Sequence, residues 1–244
     1  MTYEFEELDY QTTLLGDISL RRRSEPRLEG TIVYEVKLGD EFLMSSRFTE
    51  AEVRLAELAL ASLDHADHPG LDVVVGGLGL GYTAAAVLDD SSVESLTVIE
   101  VMLPVIEWHR RGLVPLGTQL TADPRCTMVH ADFFDMAVSV GGFHPGSAER
   151  KAHAVLVDID HSPSHWLNPG NGALYTASGL HNLAATLHPG GVFGLWSNDP
   201  PDESFRYLLD GVFDTSDAHV VQFPNPYTGG ESSNTIYLAN TKKR

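Results

Sequence analysis

Hydrophobic spacing divides this chain near residue 70. From Leu71 onward, short aliphatic runs alternate with segments of helical periodicity, the pattern of a parallel sheet covered on both faces. The runs Leu71 to Val75, Leu96 to Ile99, Thr127 to His130, Ala154 to Val157 and Val192 to Trp196 predict five buried strands. Tyr82 to Leu88 reads as a helix, as does Asp202 to Val212. His219 to Phe223 and Thr235 to Ala239 predict two further strands, joined by a Pro- and Gly-rich loop from Pro224 to Asn234, which would close the sheet as an antiparallel hairpin. There is no internal repeat and no low-complexity segment.

Before Leu71 the pattern is different. Leu14 to Arg23, Thr31 to Leu38 and Glu41 to Met44 have strand character, the last two joined at Gly39-Asp40. Thr49 with Glu52 has capping-box spacing, and Val53, Leu55, Ala56, Leu58, Ala59 and Leu63 supply the apolar face of a lead-in helix. The polar stretch Asp64 to Gly70 is the boundary, and its His65 and His68 read as part of a hydrated linker rather than as metal ligands. The expected organisation is a β-rich extension with its helix over 1–63, then an α/β domain over 71–244. The run Arg21-Arg22-Arg23 reads as a solvated strand end, because Glu25, Glu29 and Glu35 lie close by.

Composition adds limits. The net charge of −18 argues against nucleic acid, whose phosphates such a surface repels, and would attract a cationic substrate; solubility or salt adaptation accounts for it equally well. No apolar run approaches the ~18 residues of a membrane span, and MTYEFEELDY is acidic where a secretion signal is basic and then apolar, so a cytoplasmic location is expected. Cys126, the single cysteine, falls in the strand-like run CTMVHAD and reads as a small buried apolar residue.

The candidate chemistry gathers where strands end. VVVGGLGLG runs from a strand into glycines with GxGxG spacing at Gly77, Gly79 and Gly81, just before a helix. Such a turn is expected to offer free backbone N–H groups and no side chain to block a ligand. The second strand ends in Glu100, about 20 residues beyond the glycines, the spacing of a carboxylate that holds ribose hydroxyls. Asp132 and Asp158 follow the third and fourth strands, so the acids collect at one mouth.

In these stretches the chain resembles the spermidine synthases, aminopropyltransferases built on the class I S-adenosylmethionine-dependent methyltransferase fold. The resemblance rests on VVVGGLGLG, SVESLTVIEV, DPRCTMVHADFFD, HAVLVDID and ALYTASGLHNLAATLHPGGVFGLWS, with LGDEFLMSSRFTEAE a fainter match before them. It implies a Rossmann-like class I methyltransferase sheet with a C-terminal hairpin. It also implies roles: Gly77, Gly79 and Gly81 as the cradle for the nucleoside's tail, Glu100 as the ribose acid, Asp132 as acceptor for the adenine amino group, and Asp158 as base beside an attacking amine. The family's second loop aspartate, followed by proline, is replaced by His161 in DIDHSP, with Asp160 one position early; the family's Tyr-His pair on the lead-in helix is missing.

The resulting expectation is a transferase binding S-adenosylmethionine or its decarboxylated form and moving an alkyl group, methyl ahead of aminopropyl, to a small acceptor, a cationic amine among the candidates. Asp158, Asp160 and His161 are the candidate catalytic residues. Two other outcomes are a true polyamine-forming aminopropyltransferase and a nucleoside-binding protein without turnover. His161 and His165, in HSPSH, sit in a proline-containing loop without helical spacing, so no metal is expected. The resemblance further implies a homodimer through the N-terminal strands.

Overall fold

A computed structural model of the chain describes residues 4–64, 70–139, 142–143 and 150–243. His65 and His68 lie outside the described residues. The N-terminal unit is an antiparallel sheet, β1 (Phe5–Thr13), β2 (Gly16–Glu25), β3 (Thr31–Leu38) and β4 (Glu41–Ser45), in that spatial order. Two features depart from the sequence reading. β1 is a strand that alternation does not reveal, because its register shifts between Glu7 and Asp9 and the bulge breaks the two-residue period. Leu14 and Leu15 are not strand but turn, with Leu14 fully in solvent and Gly16 at φ 122 closing the hairpin.

The arginine run is paired rather than merely solvated. Arg21 and Arg23 donate from Nε to the two oxygens of buried Glu35, at 2.7 and 2.8 Å, and Arg23 also reaches Glu25 at 2.5 Å. Buried charge is tolerated here because Arg21 and Arg23 between them pair both carboxylates.

Helix α1 (Glu50–Ala61) begins at Thr49 as predicted, but the capping box does not form. Glu50, not Glu52, takes the Thr49 N–H, at 3.0 Å. Glu52 is instead 8% exposed, on the same face as Leu55, Ala56, Ala59 and Leu60.

The central sheet runs β10-β11-β9-β8-β5-β6-β7, formed by β5 (Leu71–Gly76), β6 (Val93–Glu100), β7 (Cys126–His130), β8 (Ala152–Val157), β9 (Leu187–Ser197), β10 (Thr215–Asn225) and β11 (Gly230–Asn240). The first five are mutually parallel, and β11 joins β9 antiparallel before turning into β10. All six residues of β8 are buried, as expected of a central strand covered on both faces. The hairpin strands extend into the predicted loop: Phe223 pairs with Ser232 and Asn225 with Gly230, leaving a short turn. The polar ESSN stretch hides this strand, and Pro224 is tolerated because β10 is an edge.

Two cores result, one on each face. α1, α2 (Tyr82–Asp89), α3 (Leu103–Arg110) and α4 (Gly117–Ala122) bury Leu55, Val87, Trp108 and Leu120 on one side. α5 (Phe133–Val138), α6 (Ala177–Ala185) and α7 (Glu203–Asp210) bury Phe133, Leu180, Leu183 and Phe205 on the other. A buried side chain of this size contributes about 1.5–3 kcal/mol. Among the described residues no helix is long and apolar enough to cross a membrane.

Register then aligns the strand ends. Gly76 lies opposite Ile99 and Val157, and Val157 opposite Leu195, so the residues that follow, Gly77, Glu100, Asp158 and Trp196, form one row along the carboxyl edge. The N-terminal sheet roofs this row. Trp108 of the base donates to Asp9 of β1 at 2.6 Å, Tyr227 in the β10–β11 turn donates to Glu25 at 3.1 Å, and Phe48 packs on Phe223 with ring centroids 5.4 Å apart.

Candidate active site

Between roof and base lies a cavity of about 650 Å³. Its walls carry the carboxylates of Glu52, Glu100, Asp132 and Asp158 and, among the described residues, no Lys or Arg. A cavity with that charge favours cations and disfavours anions.

The glycine loop forms one end. Gly77, Gly79 and Gly81 have φ of 92, 46 and 92, a region that side chains adopt only with strain. A Cβ at Gly77 would collide with the carbonyl oxygen of Asp158, and one at Gly79 with Sδ of Met44. Gly77 and Gly79 line the cavity, whereas Gly81 does not: a Cβ there would meet Leu120 and His109, at 2.5 and 2.9 Å, so this glycine serves helix packing. His109, wholly buried beneath the loop, bonds the Gly79 carbonyl through Nε2 at 3.0 Å, and burial lowers its pKa, which keeps the imidazole neutral.

The expectation of free N–H groups in this turn is corrected. Gly77 N–H donates to Ile99 O at 2.9 Å and Gly81 N–H to Leu78 O at 2.8 Å. Leu78 N–H donates to Glu100 Oε2 and Leu80 N–H to Met44 Sδ, each at 3.0 Å. Protein acceptors therefore hold the loop in shape. Glu100 also accepts from Met102 N–H at 2.8 Å; burial pushes its pKa up, and the surrounding backbone donors oppose that.

Asp132 has a structural task besides lining the cavity. As N-cap of α5 its Oδ1 accepts from Phe134 and Asp135 N–H, at 2.8 and 3.2 Å, which fixes the carboxylate at the cavity wall. Ile99, Val101, Met102 and Phe134 give the wall between Glu100 and Asp132 an apolar surface. That combination, apolar with an acceptor at each side, could hold a purine nucleoside.

At the other end, Asp158 accepts from Thr83 Oγ1 at 2.7 Å. Burial pushes Asp158 up to about 6, against that hydrogen bond. Glu52 faces the same space from α1; burial and the neighbouring Asp158 charge push it up to about 8. Sequence reasoning assigned Glu52 to a helix cap and did not select Met44, Thr83 or His109.

The two remaining catalytic candidates part company. Asp160 is 1% exposed and off the cavity wall, accepting from Leu167 N–H at 2.8 Å, Asn171 Nδ2 at 2.8 Å and Tyr175 OH at 2.9 Å; it ties the loop after β8 together. His161 does line the cavity, with Nε2 2.7 Å from Glu41 Oε1 of β4. His165 turns instead to Asp199, 2.9 Å away, so the two histidines have different partners. Trp196, Asn198 and Asn234 complete this end, the last two joined at 3.2 Å. Cys126 is half-buried, and burial pushes its thiol up to about 11.

No family model and no curated protein matches this chain. Solved structures do. The human methyltransferase-like protein 13 in complex with SAH shares 21% identity at a TM-score of 0.59, over 78% of this chain and 82% of that one. The fold is that of the class I methyltransferases. A spermidine synthase in complex with the transition state analogue AdoDATO aligns at a TM-score of 0.73 and 19% identity, over 100% of this chain and 81% of that one. The spermidine synthase from Thermotoga maritima aligns at 0.70 and 18%, over 100% and 80%. The chain thus has the spermidine synthase-like form of the fold, N-terminal sheet included.

Proposed function

We propose that this protein is an S-adenosylmethionine-type alkyltransferase acting on a small amine. The observation that carries the reading is the cavity wall, with four carboxylates and, among the described residues, no Lys or Arg, which suits a sulfonium donor and a cationic acceptor. When bound, the donor supplies an electrophilic carbon on sulfur. The chain's own residues do the rest: Gly77 and Gly79 leave room for the ligand, and Glu100 and Asp132 hold the nucleoside. Asp158 orients the amine and accepts its proton.

Methyl transfer is the first reading. It is supported by Asp160, which is bound into the loop and leaves Asp158 as the one aspartate of DIDHSP on the wall. Aminopropyl transfer, with the decarboxylated donor, draws support from a different observation: among the described residues no Lys or Arg in the cavity faces a donor's carboxylate, and the loop N–H groups of Leu78 and Leu80 are taken. Calorimetric titration with S-adenosylmethionine, decarboxylated S-adenosylmethionine and 5′-methylthioadenosine separates them. Preference for the first supports methyl transfer, preference for the second aminopropyl transfer, and failure of all three to bind removes the transferase reading. A homodimer through the N-terminal sheet and a cytoplasmic location belong to the same proposal; β1 is an edge strand with Phe5 and Tyr10 exposed.

A further inference from the structure

We propose that Glu52 and Asp158 act together as one cation site, Glu52 holding a proton while the cavity is empty and releasing it when an ammonium group takes its place. The inference rests on the cationic-acceptor reading above and adds Glu52 to the site as the residue that positions the amine against Asp158.

The geometry is specific. Glu52 is 8% exposed on the buried stripe of α1, and its carboxyl opens on the same cavity as Asp158 at the end of β8. No hydrogen bond or ion pair from another described side chain reaches Glu52, whereas Asp158 has Thr83 Oγ1 at 2.7 Å. A carboxylate buried with no cation and only its own backbone N–H as donor is costly, and a second acid on the same cavity raises the cost. The other titratable groups around the pair give no relief. They are Glu50 on the same helix, Tyr82 on α2, Tyr34 of β3 beside Tyr82, and His161, which is bound to Glu41. None of them is a Lys or Arg, so a proton is the counter-charge available in the empty cavity. An incoming ammonium supplies a better one. The exchange balances: the R–NH3+ cation enters, the proton on Glu52 leaves to solvent, and both carboxylates then face the nitrogen. Thr83 keeps Asp158 oriented for the later transfer of the amine's own proton.

Carboxyl 13C NMR on protein labelled at Glu and Asp tests this directly, with 1,4-diaminobutane as the probe. One Glu resonance, absent from Glu52→Gln and shifted in Glu52→Asp, should still be protonated at neutral pH in the free protein and ionise on adding the diamine. Calorimetry in buffers of different ionisation heat should read release of about one proton per diamine. Glu52→Gln should abolish that release and weaken the diamine roughly ten- to hundredfold, while 5′-methylthioadenosine binds as before. A Glu52 carboxyl already ionised at neutral pH in the free protein overturns the proposal, as does diamine binding that leaves its resonance unmoved, or no diamine binding at all. Because the titration of Glu52 needs no nucleoside, a protein that fails to bind 5′-methylthioadenosine loses the transferase reading while the pair remains readable.

Discussion

The two ends of the cavity are built on opposite principles. At the glycine-loop end, the polar groups are tied down: Glu100 by Leu78 and Met102, Asp132 by the first turn of α5, Leu80 by Met44. At the far end, Glu52 has no partner among the described side chains and Asp158 has only Thr83. The polar groups of the first end are satisfied within the protein; of the two carboxyls at the second, Asp158 alone has a side-chain hydrogen bond. On the proposed function, positioning and chemistry would thereby be separated in space, the hydrogen-bonded end holding the nucleoside and the other end reacting.

The sharpest way to break this contrast is at Asp158. Asp158→Asn should lower turnover by ~10²–10⁴, the share of a positioned base, with affinity for adenosyl ligands intact. Asp160→Asn should instead lower stability by ~1–3 kcal/mol in a denaturation experiment, since three donors lose their charged acceptor, and leave turnover of the folded fraction near normal. If Asp160→Asn abolishes turnover and Asp158→Asn spares it, the two ends have been assigned to the wrong loop residues.

At the hydrogen-bonded end, Glu100→Ala should weaken 5′-methylthioadenosine binding by ~1.5–3 kcal/mol in calorimetry. Unchanged affinity removes the ribose assignment. Gly79→Val sharpens the same end: it places a branched side chain at φ 46 and against Met44, and should abolish adenosyl binding in protein that still unfolds cooperatively. Normal binding by that variant would make the loop purely structural.

The smallest effect concerns pH. Glu52 has a folded-state pKa of about 8 against an ordinary 4.5, so the folded protein holds a proton that the unfolded chain gives up. Stability therefore falls as pH rises from about 5 to 8. Glu52→Gln should flatten that slope in thermal melts and gain on the order of 1–3 kcal/mol at the alkaline side. Because Asp158 is itself raised to about 6, the decisive window lies above it: a slope that survives between about 6 and 8 would place the proton elsewhere.

How much of this was legible in the sequence depends on whether the signal was periodic or three-dimensional. The parallel strands were legible because strands buried on both faces leave continuous apolar runs, as in AHAVLV. β1 was not, because a bulge at Leu8 breaks the alternation, and the ends of the hairpin were hidden by ESSN. Glu100, Asp132 and Asp158 were findable as the residues just past strand ends. Glu52 was also within reach: it lies three, four, seven and eight positions before Leu55, Ala56, Ala59 and Leu60, on the buried stripe, but the capping-box motif offered a local explanation first. Met44 and His109 carried no such sign. Their roles arise from where the N-terminal sheet lands and from how α3 passes under the loop, and neither is written in local spacing.

The roof has a consequence for how such a protein can change over generations. Glu41, Met44 and Phe48 come from or just after the N-terminal sheet, and Glu52 from the helix that follows, while Glu100 and Asp132 come from the base. On the proposed function, substitutions at Phe48 or Glu52 would redraw the acceptor's half of the cavity, whereas Met44, which holds the Leu80 N–H, ties the same sheet to the glycine loop. If that reading holds, specificity would drift at those positions while Glu100 and Asp132 stand still, which makes the N-terminal segment other than Met44 the part to vary in a library that seeks a new acceptor for the same fold.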